Sequence, residues 1–79
     1  MSHVTVRYFA LLREKKKTDH EVVELQDGQS IGDLYAHLFP KLSNGGLTVA
    51  FACNQERVQA SQALHDGDEV AFLPPLGGG

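Results

Sequence analysis

The stretch Ser30–Phe39 constrains the fold more than any other part of the chain. Ile31, Leu34, Tyr35, Leu38 and Phe39 recur at the spacing of one apolar helical face. Ser30 is a good N-cap, and Asp33 sits three residues on in the first turn, where a carboxylate is favoured. Pro40 disfavours the α region for Phe39, so the helix is predicted to end there or just before. No second helix of this quality occurs in the 79 residues, so the apolar face must be covered by a sheet.

The strands for that sheet are legible in order. Val4, Val6 and Tyr8 alternate with His3, Thr5 and Arg7, the period of a half-buried strand. Phe9–Glu14 loses the alternation and gains helix formers, which predicts a short helical turn. Lys15–His20 reads as a polar loop, and Glu21–Leu25 as a strand pairing back on the first. Gln26–Gln29 and Ser43–Gly46 carry turns. Leu47–Cys53 reads as a strand with Val49, Phe51 and Cys53 on one side and small residues, Ala50 and Ala52, with Thr48 on the other. Small residues there would let another surface approach closely. Asn54–Arg57 is predicted to reverse tightly into a brief strand at Val58, and Ser61–Leu64 to connect, with Leu64 as its buried anchor. Asp66-Gly67 supplies turn chemistry before a last apolar strand, Val70–Leu73. A mixed sheet gripping one helix fits this order, among several α+β arrangements.

Composition removes several function classes. A chain of this length holds one core. A formal charge of −3 argues against a nucleic-acid partner, which would need clustered excess Lys and Arg. The only basic run, Lys15-Lys16-Lys17, reads as a solvated loop. The single cysteine, Cys53, makes no internal disulfide, and its place on an apolar strand face suits an inert buried thiol. No apolar run approaches the length of a membrane span and no signal peptide follows Met1, so the cytoplasm is the expected location and no membrane partner is expected. His3, His20, His37 and His65 are scattered, with no metal-ligand spacing. Asp66, Asp68 and Glu69 lack the spacing of a calcium loop and read as a solvated turn. No acid, base and oxyanion donor assemble, so the domain is not expected to be a catalyst by itself.

What remains is the C-terminus. Pro74 and Pro75 offer no N–H, so a ladder must stop there and the chain must leave extended. The last six residues span at most about 20 Å. Gly77, Gly78 and Gly79 have no Cβ, so they can thread a channel too narrow for other residues, and Gly79 presents an unhindered carboxylate. A frayed, inert end is the plain alternative.

The segment Asp66-Gly67-Asp68-Glu69-Val70-Ala71-Phe72-Leu73-Pro74-Pro75-Leu76-Gly77-Gly78-Gly79 closely resembles the end of the molybdopterin synthase small subunit, the MoaD family. Val4–Glu14 resembles that family's start, and Cys53-Asn54-Gln55 stands where members tend to carry an apolar residue followed by Asn. The resemblance implies a ubiquitin-like β-grasp domain over 1–73 and a flexible functional tail over 74–79. It implies a sulfur carrier. An adenylating enzyme that uses ATP would activate the Gly79 carboxylate, and a sulfur donor protein would displace AMP to leave a thiocarboxylate. The large synthase subunit would then take the tail and pass the sulfur to cyclic pyranopterin monophosphate. Gly77 and Gly78 would thread the partner sites, and Leu73, Pro74, Pro75 and Leu76 would form the partner interface. Arg7 and Arg13 either meet acidic groups of a partner or are solvated charge. The chain departs from the family at Leu73, where an aromatic is common, and in ending on three glycines. A thiamine-pathway sulfur carrier and a ubiquitin-like protein modifier share the fold and the glycine end, and Pro74-Pro75 favours the molybdopterin branch.

Overall fold

A computed structural model describes residues 2–44 and 49–74. The chain runs β1 (Ser2–Tyr8), α1 (Ala10–Lys16), β2 (His20–Leu25), α2 (Ile31–Leu38), α3 (Pro40–Asn44), β3 (Ala50–Cys53), β4 (Glu56–Val58) and β5 (Glu69–Leu73). The strands form one sheet in the order β2-β1-β5-β3-β4. β1 and β5 are parallel, with Val6 opposite Val70 and Tyr8 opposite Phe72, and the other pairs are antiparallel. The first and last strands of the chain are therefore neighbours at its centre. This is the β-grasp arrangement.

Alternation in β1 turns Val4, Val6 and Tyr8 inward, where each is at most 1% exposed, and β5 does the same with Val70 and Phe72. Against them α2 lays Ile31, Leu34 and Tyr35, with Phe39 just beyond. The Phe72 ring meets three others edge to face, Tyr35 at 5.1 Å, Phe51 at 6.0 Å and Phe39 at 6.3 Å.

Ser30 and Asp33 form a complete capping box. The Asp33 N–H donates to Ser30 Oγ at 3.1 Å, and the Ser30 N–H donates to Asp33 Oδ2 at 3.2 Å. The connector before β5 satisfies two more orphan donors of α2, since Ile31 and Gly32 donate their N–H groups to the carbonyls of Gln62 and Ala60, both at 2.9 Å. A Cβ on Gly32 would lie 2.9 Å from both the Ala60 Cβ and its carbonyl oxygen, so only glycine permits this approach.

Three expectations are corrected. α1 runs to Lys16, so Lys15 and Lys16 are helical rather than loop. Good helix formers extend it, its last turn carries cations where the dipole favours them, and Lys17 closes it in the left-handed region at φ 60°. Pro40 ends α2 as expected but also starts α3, because the first helical position needs no N–H. The reversal after β3 is only Asn54-Gln55, with φ of 53° and 71° in the type I′ pattern, which leaves Glu56 and Arg57 in β4. Ser43 and Asn44 fall in α3. The rest of that expected turn, Gly45-Gly46, and the expected strand start at Leu47 and Thr48 lie outside the described residues.

Candidate functional site

The expected site lies where β5 leaves the sheet. Leu73, its last residue, pairs with Ala50 of β3, and both Leu73 and Pro74 are half-buried. Pro75, Leu76, Gly77, Gly78 and Gly79 lie outside the described residues.

The outer face of the sheet beside this exit carries a shallow depression of about 330 Å³. Ala71 and Ala52, in register across β5 and β3, both line it, with Phe9 and Leu73 supplying its larger apolar walls. Phe9 is 41% exposed, high for an aromatic ring of its size. Of the small side chains expected on that side of β3, Ala52 meets Ala71 while Ala50 lies opposite Leu73, so the sheet is open to close approach at the Ala52–Ala71 pair. Arg7 borders the depression and donates from Nε to Glu69 Oε2 at 3.1 Å. Arg7 is thereby paired within the chain, across the β1–β5 seam. Arg13 stands exposed in the last turn of α1.

The other end of β5 is tied by polar contacts. The Asp66 carboxylate accepts from the His3 N–H at 2.8 Å. Asp68 accepts from the His65 N–H at 2.8 Å and from the Asn54 amide at 3.0 Å. Asn54 Oδ1 in turn accepts from the Glu69 N–H at 3.0 Å. The Asp68 side chain is only 16% exposed. Burial pushes its pKa up, but the donors from Asn54 and His65 outweigh that and hold it below the usual aspartate range. The solvated turn expected at Asp66, Asp68 and Glu69 is therefore corrected at Asp68, a covered group that organises two turns. Asn54 suits the other half of the task, since it tolerates positive φ and bonds with its side chain. The sequence marks Asn54 as part of a reversal but carries no signal for its pairing with Asp68.

Cys53 is buried beside Asp68, and burial first, then that carboxylate, push its thiol pKa up. Such a thiol is poorly nucleophilic. The Tyr8 hydroxyl donates to Glu21, and burial together with that carboxylate pushes the phenol well above its ordinary range. Lys16 closes the group, with Nζ 3.5 Å from Glu21 and above the rings of Tyr8 and Phe39 at 6.0 and 5.7 Å from their centroids. It is a packed cation, not the solvated one expected of the lysine run. Among the described residues no three His, Cys, Asp or Glu side chains converge as a metal site. Among them, too, no helix is long and apolar enough to cross a membrane.

A family model described as the ThiS family matches residues 6–79. The chain is 44% identical to the molybdopterin synthase sulfur carrier subunit of Chlamydomonas reinhardtii, over 96% of this chain and 98% of that one. It is 41% identical to the subunit of the same name from Mycobacterium tuberculosis over the full length of both. Among solved structures it superposes on one chain of a protein–protein complex of subunits 1 and 2 of the molybdopterin-converting factor from Helicobacter pylori with a TM-score of 0.64, at 28% identity over 98% of this chain and 99% of that one. The small archaeal modifier protein 1 of Haloferax volcanii matches in fold with a TM-score of 0.80, at 23% identity over 96% of this chain and all of that one.

Proposed function

Because the chain belongs to the ThiS family, we propose that it is the sulfur carrier subunit of a molybdopterin synthase, and that its Gly79 carboxylate is the group that carries sulfur. The observation that carries this reading is near-full-length similarity to relatives bearing that name, at 44% and 41% identity. The complex of subunits 1 and 2 from Helicobacter pylori supports a large-subunit partner. The likeness to the archaeal modifier, at 23% identity, speaks for the fold alone.

The chemistry follows from the reactivity of a carboxylate, which is a poor electrophile until one oxygen becomes a good leaving group. In this reading an adenylating enzyme joins a Gly79 carboxylate oxygen to the α-phosphorus of ATP, with loss of pyrophosphate. Sulfide released by a sulfur donor then attacks the acyl carbon, AMP departs with its oxygen, and the S–H proton is lost. The thiocarboxylate left behind is a soft nucleophile at neutral pH, and the large subunit directs it to cyclic pyranopterin monophosphate. A dithiolene holds two sulfurs, so two carriers discharge for each product.

In this reading the described residues take no chemical part in these steps. Their work is mechanical support and recognition. β5 fixes the root of the tail at the sheet centre, and Pro74-Pro75 limits the entropy lost when the tail is ordered. Gly77 and Gly78 thread the partner's channel. Leu73, Pro74, Pro75 and Leu76 dock against its mouth, alongside the Ala71–Ala52 depression.

The test is mass spectrometry of the intact protein after incubation with an adenylating enzyme, ATP and a sulfide source. Replacement of one oxygen by sulfur at Gly79 is expected. A ladder of lysine conjugates in cells would instead make the protein a modifier, and an unchanged mass with no conjugates would make the tail inert.

A further inference from the structure

The face opposite the Ala71–Ala52 depression carries a second feature at the same end of the molecule. Leu38, Phe39, Pro40 and Leu42 line a groove of about 320 Å³ between α2 and α3, and Lys15 and Lys41 also line it. Its floor reaches the root of the tail, since Phe39 lies 6.3 Å from Phe72, the residue before Leu73. Five of the chain's seven Lys and Arg gather at this end: Arg13, Lys15, Lys16, Lys17 and Lys41. Only Lys16 among them has an ion pair among the described residues, with Glu21. Glu21 is taken up by Tyr8 and Lys16, while Asp19, hydrogen-bonded to His20, and Glu14 keep their charge, so among the described residues here two carboxylates face the four cations Arg13, Lys15, Lys17 and Lys41. Glu24, Asp27, Asp66 and Asp68 lie at the opposite end, beside Ser2 and His3. A chain of net charge −3 is thus electropositive where its tail departs.

From this we infer that the groove is a docking site for a segment of the tail-receiving large subunit in which carboxylates flank one apolar side chain. The apolar side chain seats between Leu38, Phe39 and Leu42, and the carboxylates meet Lys15 and Lys41. Charge complementarity selects this occupant. Two exposed lysines lining an apolar groove favour an acidic partner and repel a basic one, and rim charges of this kind act mainly on the rate of encounter. The inference rests on the proposed function, because that reading brings a partner to this end of the molecule.

The experiment measures association and dissociation of the full chain with the large subunit, by stopped flow, at low and high salt. Lys15→Glu and Lys41→Glu are each expected to slow association about threefold to tenfold at low salt, with the difference lost near 0.5 M salt. Arg57→Glu, an identical charge change on the distant strand β4, is expected to stay within about twofold. Leu42→Gln is expected to raise the dissociation rate about tenfold. Should that variant lose its fold, as read by circular dichroism, the two exposed lysines carry the test. Equal slowing by all three charge variants would reduce the effect to net charge and overturn the docking site, as would no slowing by either lysine variant. Lysine-dependent binding to phosphatidylserine vesicles, with large-subunit association unchanged, would assign the cluster to a lipid surface and overturn it as well. A parent protein that transfers sulfur while the lysine variants associate normally loses only this inference. A parent that neither binds the large subunit nor accepts sulfur loses both.

Discussion

The two ends of β5 are built on opposite principles. At its beginning, Asp66, Asp68, Asn54 and the backbones of His3 and His65 close a network in which each carboxylate accepts from a main-chain N–H. The strand's own backbone is held there too, with the Asn54 N–H donating to the Glu69 carbonyl at 2.7 Å and the Thr5 N–H to the Asp68 carbonyl at 3.0 Å. At its end, Leu73 makes the last ladder pair with Ala50, and the chain passes into two prolines that donate nothing. The stretch Gly67-Asp68-Glu69-Val70-Ala71-Phe72 that marks the sequence so clearly is thus an anchor and a core strand, while the proposed chemistry belongs to residues with almost no side chains. The acids are structural. The proposed function is assigned to the glycines.

That contrast can be broken most forcefully at the tail. Gly78→Val is expected to leave the unfolding temperature unchanged and to lower sulfur transfer about a hundredfold, because a branched side chain displaces the reacting atom in a channel shaped for glycine. Thermal unfolding and dithiolene formation, measured side by side, check this, and parent-level turnover would return the tail to an inert end. The reverse pattern is expected at the anchor. Asp68→Ala strands the Asn54 amide and the His65 N–H, and should cost about 2 kcal/mol of stability by urea titration. The folded fraction should still transfer sulfur at the parent rate. A stable but inactive Asp68→Ala would erase the division between the two ends.

Two smaller effects sharpen it. Leu76→Asp is expected to weaken binding of the large subunit by about 2 kcal/mol without touching the fold, and an unchanged dissociation constant would move the interface away from the tail's root. At acid pH the anchor should fail first. The folded-state pKa of Asp68 is lowered, so its contribution is complete above the ordinary aspartate value of about 3.9 and is lost as pH falls through the folded value. Asp68→Asn keeps only one acceptor and should flatten the fall in melting temperature below about pH 4. Parallel acid limbs for the parent and this variant would assign acid sensitivity to another group.

Elements with local causes were legible in the sequence. Ser30, Asp33 and the apolar stripe from Ile31 to Phe39 define α2 within ten residues, and alternation from Val4 to Tyr8 defines β1. Glycine at 77–79 and the prolines before it declare a candidate tail by their own covalent geometry. What stayed hidden depends on register. Alternation says which face a residue takes, never which strand lies beside it. The Arg7–Glu69 pair, the Ala52–Ala71 contact and the depression around them exist only because β1, β3 and β5 align across long loops. Asn54 and Asp68 lie 14 residues apart and meet for the same reason. Lys16 looked like one of three equivalent cations until α1 turned it over the rings of Tyr8 and Phe39.

The position of β5 between β1 and β3 also governs how the protein bears load. Ladder hydrogen bonds lie across the strand direction, so tension applied through the tail shears both ladders at once instead of unzipping one. The bonds on the two sides must fail together, and the Phe72 ring must be drawn through the aromatic cluster in the same event. Under the proposed function, a pull on the tail would therefore load the domain through its centrally paired strand rather than through an edge.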